Sequence, residues 1–221
     1  MPHKTALVLG STGLIGTALI KQLLDCNQFT TIHALARKEL NMQHEKLKVH
    51  QINMRELNSI PEHFQVDTLF CCIGTTMKKA GSKEAFREVD YDIPLQAAQM
   101  AKKEGVGQYL IVSAMGADPN SFFFYNRVKG ELEDQLQLLS LPSLHIFRPS
   151  LLLGERDEVR VGEQIGATVS KFLNPILGGS LKKYQAIDGS DVARAMIQVS
   201  LQDQPGDHIY LSDEIKTLAT S

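Results

Sequence analysis

The chain has few of the residues that mark disulfide-bonded or nucleic-acid-binding proteins. Its 221 residues include three cysteines and no tryptophan, and 23 basic residues are nearly balanced by 25 acidic ones, for a formal net charge of −2. Three cysteines cannot form a disulfide framework, and a charge near zero gives no electrostatic reason to expect nucleic acid as a partner. The adjacent Cys71 and Cys72 lie in an apolar run and are interpreted as small buried hydrophobic residues in a reducing compartment.

Signals for membranes, export and metals are also lacking. No apolar stretch approaches the ~20 residues that a membrane-spanning helix needs. The N-terminus enters a strand pattern almost at once, which leaves no room for a signal peptide. The seven histidines are scattered, and no two have the sequence spacing of metal ligands. We therefore expect a soluble cytoplasmic protein with no membrane partner, and the sequence predicts no metal site.

Short apolar runs alternate with amphipathic stretches along the chain. Buried strands are predicted at 5–10, 31–36, 47–53, 66–74, 108–116, 143–150 and 208–212. Helical periodicity covers 14–26, 82–104, 124–139 and 190–202, with a helix restart expected at Pro94. This alternation predicts one α/β domain over 1–221, a doubly wound parallel sheet with helices on both faces. The irregular segment 151–185 is expected to form a small C-terminal lobe that faces the substrate.

A glycine-rich loop follows the first strand directly. It reads Gly10-Ser11-Thr12-Gly13-Leu14-Ile15-Gly16. Gly10 permits a tight turn, Gly13 lets the backbone approach a pyrophosphate, and Gly16 lets the helix pack closely on the sheet. The N-terminus of the next helix offers N–H groups and a positive dipole end to phosphates. The loop predicts a dinucleotide-binding site; the alternative is a glycine-rich turn that binds no ligand.

The second predicted strand ends with two basic residues, Arg37 and Lys38. Sites that prefer NAD commonly have an acidic residue here to hold the ribose 2′-hydroxyl. A guanidinium suits bidentate recognition of a 2′-phosphate instead. The sequence therefore favours NADP over NAD as the cofactor, and the alternative is that Arg37 is a solvated residue at a strand end.

Several segments resemble the short-chain dehydrogenase/reductase superfamily, in its extended or atypical branch. They are GSTGLIG (10–16), VDTLFCCIGTT (66–76), VDYDIP (89–94), YLIVSAMGA (109–117), YNRVK (125–129) and FRPSLLLGE (147–155). They occur in family order and cover most of the chain. The chain is most similar to small Tat-interacting-protein-like oxidoreductases, which bind NADP(H). The resemblance implies a Rossmann fold of about seven strands in the order 3-2-1-4-5-6-7.

The resemblance also implies a catalytic set of Ser113, Tyr125 and Lys129. The last two are four residues apart and so share a helix face. A lysine ammonium beside the phenol would favour the phenolate and bring its pKa towards the working range. Ser113 would hydrogen-bond the substrate oxygen, and Lys129 would also hold the nicotinamide ribose. The Tyr-x-x-x-Lys spacing alone is weak, because it equally fits a helix start that carries an aromatic residue and a surface charge.

The loop after the fourth predicted strand should border the cofactor at the carboxyl edge of the sheet. It contains Gly74, Thr75 and Thr76, for which a plain strand-end turn is the alternative. The chain departs from the family pattern nearby, because Asp90 stands where extended members often have asparagine. This departure affects the groups that would relay a proton to or from the substrate, and it does not affect the dinucleotide site.

Three functions are consistent with these features. The leading hypothesis is an NADP-dependent oxidoreductase that transfers a hydride to or from a small carbonyl or alcohol substrate. The short 151–185 segment argues against a nucleotide-sugar substrate. The alternatives are a non-catalytic NADP(H)-binding redox sensor or regulatory scaffold, and an epimerase or dehydratase with bound NAD(P). Helices 82–104 and 124–139 form the usual dimer surface in related proteins, so homodimer and monomer both stay open.

Overall fold

The computed structural model describes residues 3–153, 184–202 and 204–220. Its main sheet has seven strands: β1 Lys4–Leu9, β2 Phe29–Ala36, β3 Leu47–Gln51, β4 Thr68–Cys71, β5 Gln108–Val112, β6 Ser143–Arg148 and β9 Gly206–Leu211. A second small sheet pairs β7 Leu152–Leu153 with β8 Ile187–Asp188. The main sheet has the order β3-β2-β1-β4-β5-β6-β9, and all of its pairs are parallel.

The helices occupy both faces of this sheet. They are α1 Leu14–Asp25, α2 Met77–Ala80, α3 Lys83–Arg87, α4 Ile93–Glu104, α5 Phe124–Leu138, α6 Gly189–Ser200 and α7 Ser212–Thr220. Two 3₁₀ segments, Met54–Ser59 and Pro61–Phe64, follow β3. The predicted α/β fold and the strand order implied by the family resemblance are therefore confirmed.

The composition of β1 shows why the sheet is buried on both faces. Ala6 and Val8 point into a core that includes residues of α1 and α6, whereas Leu7 and Leu9 point into a core that includes residues of α4 and α5. Successive side chains of a strand alternate between faces, so a strand covered on both sides is apolar at most of its consecutive positions. This double burial holds the carboxyl end of β1 in a fixed place.

A π-helical turn, Glu88–Asp92, joins α3 to α4. Pro94 has no N–H group, so it cannot donate the helical bond to the carbonyl of Asp90. The N–H of Ile93 instead bonds to the carbonyl of Glu88, five residues back. The expected restart at Pro94 corresponds to the start of α4 at Ile93. The wide turn places Asp90 in the interior, where it is 1% exposed.

Most of the predicted substrate-facing lobe, 151–185, lies outside the described residues, which include only its two ends. At those ends, β7 and β8 pair with each other. Among the helices within 3–153, 184–202 and 204–220, none has the length and apolar character needed to cross a membrane.

Candidate cofactor and catalytic site

The glycine loop is closed tightly against its neighbours at its first and last glycines. Gly10 has φ +78°, and a Cβ there would lie 2.5 Å from the carbonyl carbon of Cys72 in the loop after β4. A Cβ on Gly16 would overlap the carbonyl oxygen of Gly10. Both obstacles are backbone atoms, which cannot rotate away. Packing alone therefore requires glycine at these two positions, and it brings the loops after β1 and β4 together.

The middle of the loop is open on its outer side. Thr12 and Gly13 are exposed, and Gly13 is the N-cap of α1, without a side chain to cap the helix. A Cβ on Gly13 would meet only the carbonyl oxygen of Gly10, at 3.3 Å. The first N–H groups of a helix have no intrahelical partner, and the first turn of α1 has no acidic residue to compete for them. These donors fit the pyrophosphate of a dinucleotide.

Three of the predicted cofactor residues use their side chains for packing. Ser11 is buried, and its Oγ donates to the carbonyl of Leu35 at 3.2 Å. Leu14 packs against Gly189, where a Cβ would lie 2.8 Å from Leu14 Cγ. Ile15 belongs to the core beneath α1. These residues are available to a ligand only through their backbone groups.

Arg37 and Lys38 follow the end of β2 at Ala36, and both are exposed. The bond from Ser11 to Leu35 holds the glycine loop against this end of β2. Within the part of the chain that the structure describes, neither basic side chain forms an ion pair. Both charges are therefore available beside the loop.

The loop after β4 connects to the buried Asp90. The N–H of Thr75 donates to Asp90 Oδ2 at 2.8 Å, and a Cβ on Gly74 would lie 3.4 Å from Asp90 Oδ1. The Thr76 hydroxyl accepts from the N–H of Lys79 at 3.1 Å and caps α2. Gly74 and Thr75 thus lie beside Asp90, just after the Cys72 backbone that contacts Gly10, whereas the Thr76 side chain stabilises a helix start.

Lys129 is the buried cation of the site. Its Nζ lies 2.8 Å from Asp90 Oδ1, with side-chain exposures of 3% and 2%. Burial lowers the pKa of Lys129, but Asp90 and then Tyr125 outweigh this effect, so the net pKa is raised and the group stays charged. The second oxygen of Asp90 accepts from the N–H of Thr75, so both carboxylate oxygens have a partner.

Tyr125 lies one helical turn before Lys129, near the start of α5, and is 37% exposed. Its ring packs against Phe86, with centroids 5.6 Å apart. The three aromatic residues before it differ in environment, because Phe122 and Phe123 are exposed whereas Phe124 packs on Phe86 with centroids 5.7 Å apart. Phe122 and Phe123 therefore do not belong to the core.

Ser113 is buried after the end of β5 and is bound to a second charge pair. Its Oγ donates to Glu133 Oε1. Glu133 also accepts from Arg148 Nε, at 3.0 Å for Oε2 and 3.2 Å for Oε1. Glu133 was not predicted as a site residue, although its spacing gives a signal: Tyr125, Lys129 and Glu133 follow each other at intervals of four residues along one face of α5.

The chain is similar to the members of one protein family. Residues 29–180 match the HIM1 family model. Protein HTATIP2 of Rattus norvegicus is 35% identical over 201 residues, covering 89% of this chain and 81% of that relative. The mitochondrial protein FMP52 of Candida albicans is 31% identical over 226 residues, covering 98% and 99%. The chain belongs to the HIM1 family.

Solved structures show which fold this HIM1-family chain has. MoeE5 in complex with UDP-glucose and NAD matches with a TM-score of 0.72 at 14% identity, covering 98% of this chain and 81% of that chain. UDP-glucose 4-epimerase of Thermotoga maritima matches with a TM-score of 0.70 at 14% identity and the same coverage. At this identity the likeness shows the fold alone. It confirms the predicted Rossmann-type fold.

The expected cytoplasmic location is contradicted by the HIM1-family relatives. FMP52 proteins of Debaryomyces hansenii, Eremothecium gossypii and Candida albicans are all named mitochondrial. The expectation was based on the lack of an export signal and on cysteine usage. Neither feature distinguishes the cytosol from other reducing compartments, and the predicted cytoplasmic location was wrong for this reason.

Proposed function

We propose that the protein is an oxidoreductase of the short-chain type that uses a nicotinamide dinucleotide, with NADP(H) preferred. One observation carries the proposal: a glycine loop with free helix N–H groups adjoins, through Cys72 and Thr75, the buried Asp90–Lys129 pair. A structural turn would need Gly10 and Gly16, but it would not need an exposed backbone at Thr12 and Gly13 in front of a helix N-terminus that has no side-chain cap. Burying a lysine one turn after a tyrosine costs desolvation free energy, and charged groups buried at this cost are often functional.

The cofactor would be held by groups on three strand ends. Thr12, Gly13 and the first N–H groups of α1 would bind the pyrophosphate, and Gly74 would lie along it. Arg37 and Lys38 would meet the 2′-phosphate of NADP. When bound, the nicotinamide supplies or accepts the hydride.

The protein's own residues would move the proton. In reduction, Tyr125 would donate its phenolic proton to the substrate oxygen, and in oxidation it would take a proton from the alcohol. Lys129 would stabilise the phenolate that forms. Asp90 orients the Lys129 ammonium and also offsets part of its charge, so it weakens the effect of Lys129 on the phenol.

Ser113 would bind the substrate oxygen, and Glu133 would determine whether a hydroxyl or a carbonyl group is preferred there. Its proton is directed to the Glu133 carboxylate, which leaves its lone pairs for an incoming hydroxyl. A carbonyl substrate would require that proton to turn away from Glu133. Arg148 lowers the cost of this turn, because it remains a hydrogen-bond donor to the same carboxylate.

The test is a screen of purified protein with NADPH against aldehydes, ketones and quinones, and with NADP⁺ against small alcohols. We expect NADPH oxidation or NADP⁺ reduction with at least one compound. Loss of that turnover in Tyr125→Phe, with NADPH affinity unchanged, would assign it to this site. Failure to bind either NADPH or NADH would contradict the proposal at its base.

A second candidate function has its own support. A non-catalytic NADP(H)-binding regulator would have no use for a free acid–base pair, and here Asp90 compensates Lys129 while Glu133 engages Ser113. Tight NADPH binding with no turnover across the whole panel would favour this candidate. Binding affinities that differ strongly between NADPH and NADP⁺ would then support a redox-sensing role.

A further inference from the structure

Three histidines from separate elements converge at the edge of the main sheet. They are His33 of β2, His50 of β3 and His63 of the 3₁₀ segment Pro61–Phe64. His33 Nδ1 and His50 Nε2 are 2.9 Å apart, and one ring nitrogen from each of the three residues lies within 4.8 Å of the others. The cluster shares no residue with the glycine loop or with the Lys129 site.

Strand register brings His33 and His50 together, and a buried neighbouring residue, Phe64, positions His63. The parallel register pairs His33 with Lys48 and Leu35 with His50, which places both histidines on one face, diagonally adjacent. His63 is held over the same face because the next residue, Phe64, is fully buried. The ring centroids of His50 and His63 are 4.0 Å apart.

We propose that His33, His50 and His63 bind a divalent transition-metal ion of the zinc class, with a fourth position open to water. Imidazole nitrogens suit zinc, copper and nickel. Three protein ligands plus one exchangeable position is the arrangement of zinc sites that are not closed structural sites. Tetrahedral zinc with Zn–N of about 2.0–2.1 Å separates its ligand nitrogens by about 3.3 Å, which small ring rotations reach from this geometry.

The surroundings of the cluster support this assignment. All three rings are partly exposed, so an ion can enter from solvent and keep a water ligand. Burial, followed by the neighbouring rings and Lys48, lowers the pKa of His33 and of His50. Neutral imidazole is the form that ligates a metal. The carboxylate of Glu62, next to His63, contributes a compensating negative charge near His50.

A bound ion would cross-link the edge of the sheet. It would tie β3, which is the terminal strand, and the segment Pro61–Phe64 to β2. The predicted consequence is a metal-dependent rise in thermal stability, because an ion that binds only the folded chain stabilises it by mass action. This inference does not depend on the proposed oxidoreductase function.

The test is a Zn²⁺ titration of tag-free protein that has been stripped with a chelator, followed by calorimetry and by competition with a chromophoric chelator. We expect one Zn²⁺ per chain and a higher melting temperature. His50→Ala should weaken binding at least ~10-fold and abolish the thermal shift. The matched control is His44→Ala, which removes an exposed histidine outside the cluster and should bind as the wild type does. Co²⁺ in place of Zn²⁺ should give visible absorption bands with wild type and not with His50→Ala.

The outcome that overturns the proposal is equal Zn²⁺ affinity in wild type and in His50→Ala, or no Zn²⁺ binding by the wild type. In that case the cluster is a hydrogen-bonded pair, His33 and His50, with the ring of His63 tilted against it. Should His50→Ala fail to fold, His63→Ala gives the same comparison, because it changes a short 3₁₀ segment rather than a strand. Circular dichroism of each variant establishes that the fold is intact.

Discussion

Lys129 and Asp90 form an ion pair of 2.8 Å in which both side chains are almost fully buried. The pair joins α5 to the π-helical turn before α4, and through Thr75 to the loop after β4. The lysine charge that would act on Tyr125 is therefore compensated by a carboxylate.

Asp90→Asn should therefore have opposite effects on stability and on acid–base chemistry. The variant leaves Lys129 buried without a counter-charge, and we expect a loss of about 3 kcal/mol in the free energy of unfolding. If the protein turns over substrate, the limb of the pH–rate profile that reports Tyr125 should move about one unit lower, because an uncompensated ammonium favours the phenolate. Denaturant unfolding and kcat/KM against pH measure these effects.

The control for Asp90→Asn is Asp92→Asn. This change removes an exposed carboxylate two residues away in the same π-helical turn. It should leave both the unfolding free energy and the pH profile unchanged. Equal stability of the two variants would contradict the structural role given to the buried pair.

Substitutions at two glycines of the glycine loop, Gly16 and Gly13, should separate effects on the fold from effects on cofactor binding. Gly16→Ala places a Cβ against the carbonyl oxygen of Gly10 and should destabilise the protein severely, which a thermal melt detects. Gly13→Ala meets only a 3.3 Å neighbour, so its melting temperature should change little while its NADPH affinity falls. A Gly13→Ala variant that binds NADPH as the wild type does would contradict the assignment of this loop.

The sheet could be predicted from the sequence because strands buried on both faces have nearly continuous apolar sequences. The ends of these strands could not be predicted. The predicted strand 66–74 is observed only over Thr68–Cys71, and the residues after it, Cys72 and Gly74, contact the glycine loop and Asp90. Apolar composition is the same in both situations, so it cannot separate a strand end from a buried loop.

The hydrogen bonds and ion pairs of the site could not be predicted from the sequence. The chain of contacts from Ser113 through Glu133 to Arg148 joins β5, α5 and β6. His33, His50 and His63 likewise lack ligand spacing in sequence, and strand register brings them together. Contacts between elements that are distant along the chain follow from packing, which periodicity does not encode.

Arg37→Ala should change cofactor preference rather than cofactor binding in general. Arg37 is exposed at the end of β2, and a guanidinium there would contact only the 2′-phosphate. We expect NADPH affinity to fall at least ~10-fold while NADH affinity stays constant. Lys102→Ala, an exposed cation at the end of α4, is the control. Unchanged NADPH and NADH affinities in Arg37→Ala would exclude the NADP preference.

Acid should destabilise the fold through His145. This residue is fully buried, with Nε2 2.7 Å from Ser143 Oγ and Nδ1 3.0 Å from Tyr210 Oη. Burial, and then His208, lowers the pKa of His145 to about 4. His145 is therefore protonated below pH ~6.5 in the unfolded chain but only below about pH 4 in the folded chain. The free energy of unfolding falls as the pH drops between these two values.

The size of this effect follows from the pKa difference. Between pH 7.5 and pH 5 the His145 contribution should cost about 2 kcal/mol of unfolding free energy. Urea unfolding at the two pH values measures it, and His145→Gln should show a smaller difference between them. An identical pH dependence in wild type and His145→Gln would assign the acid sensitivity to other groups.

Tyr125→Phe tests the central claim most directly. The substitution removes one oxygen from a partly exposed ring and keeps its packing on Phe86. On a substrate found with the wild type, we predict that kcat falls at least ~10²-fold while the Kd for NADPH stays within about twofold. Turnover by Tyr125→Phe at the wild-type rate, with the same NADPH affinity, would contradict the assignment of this site.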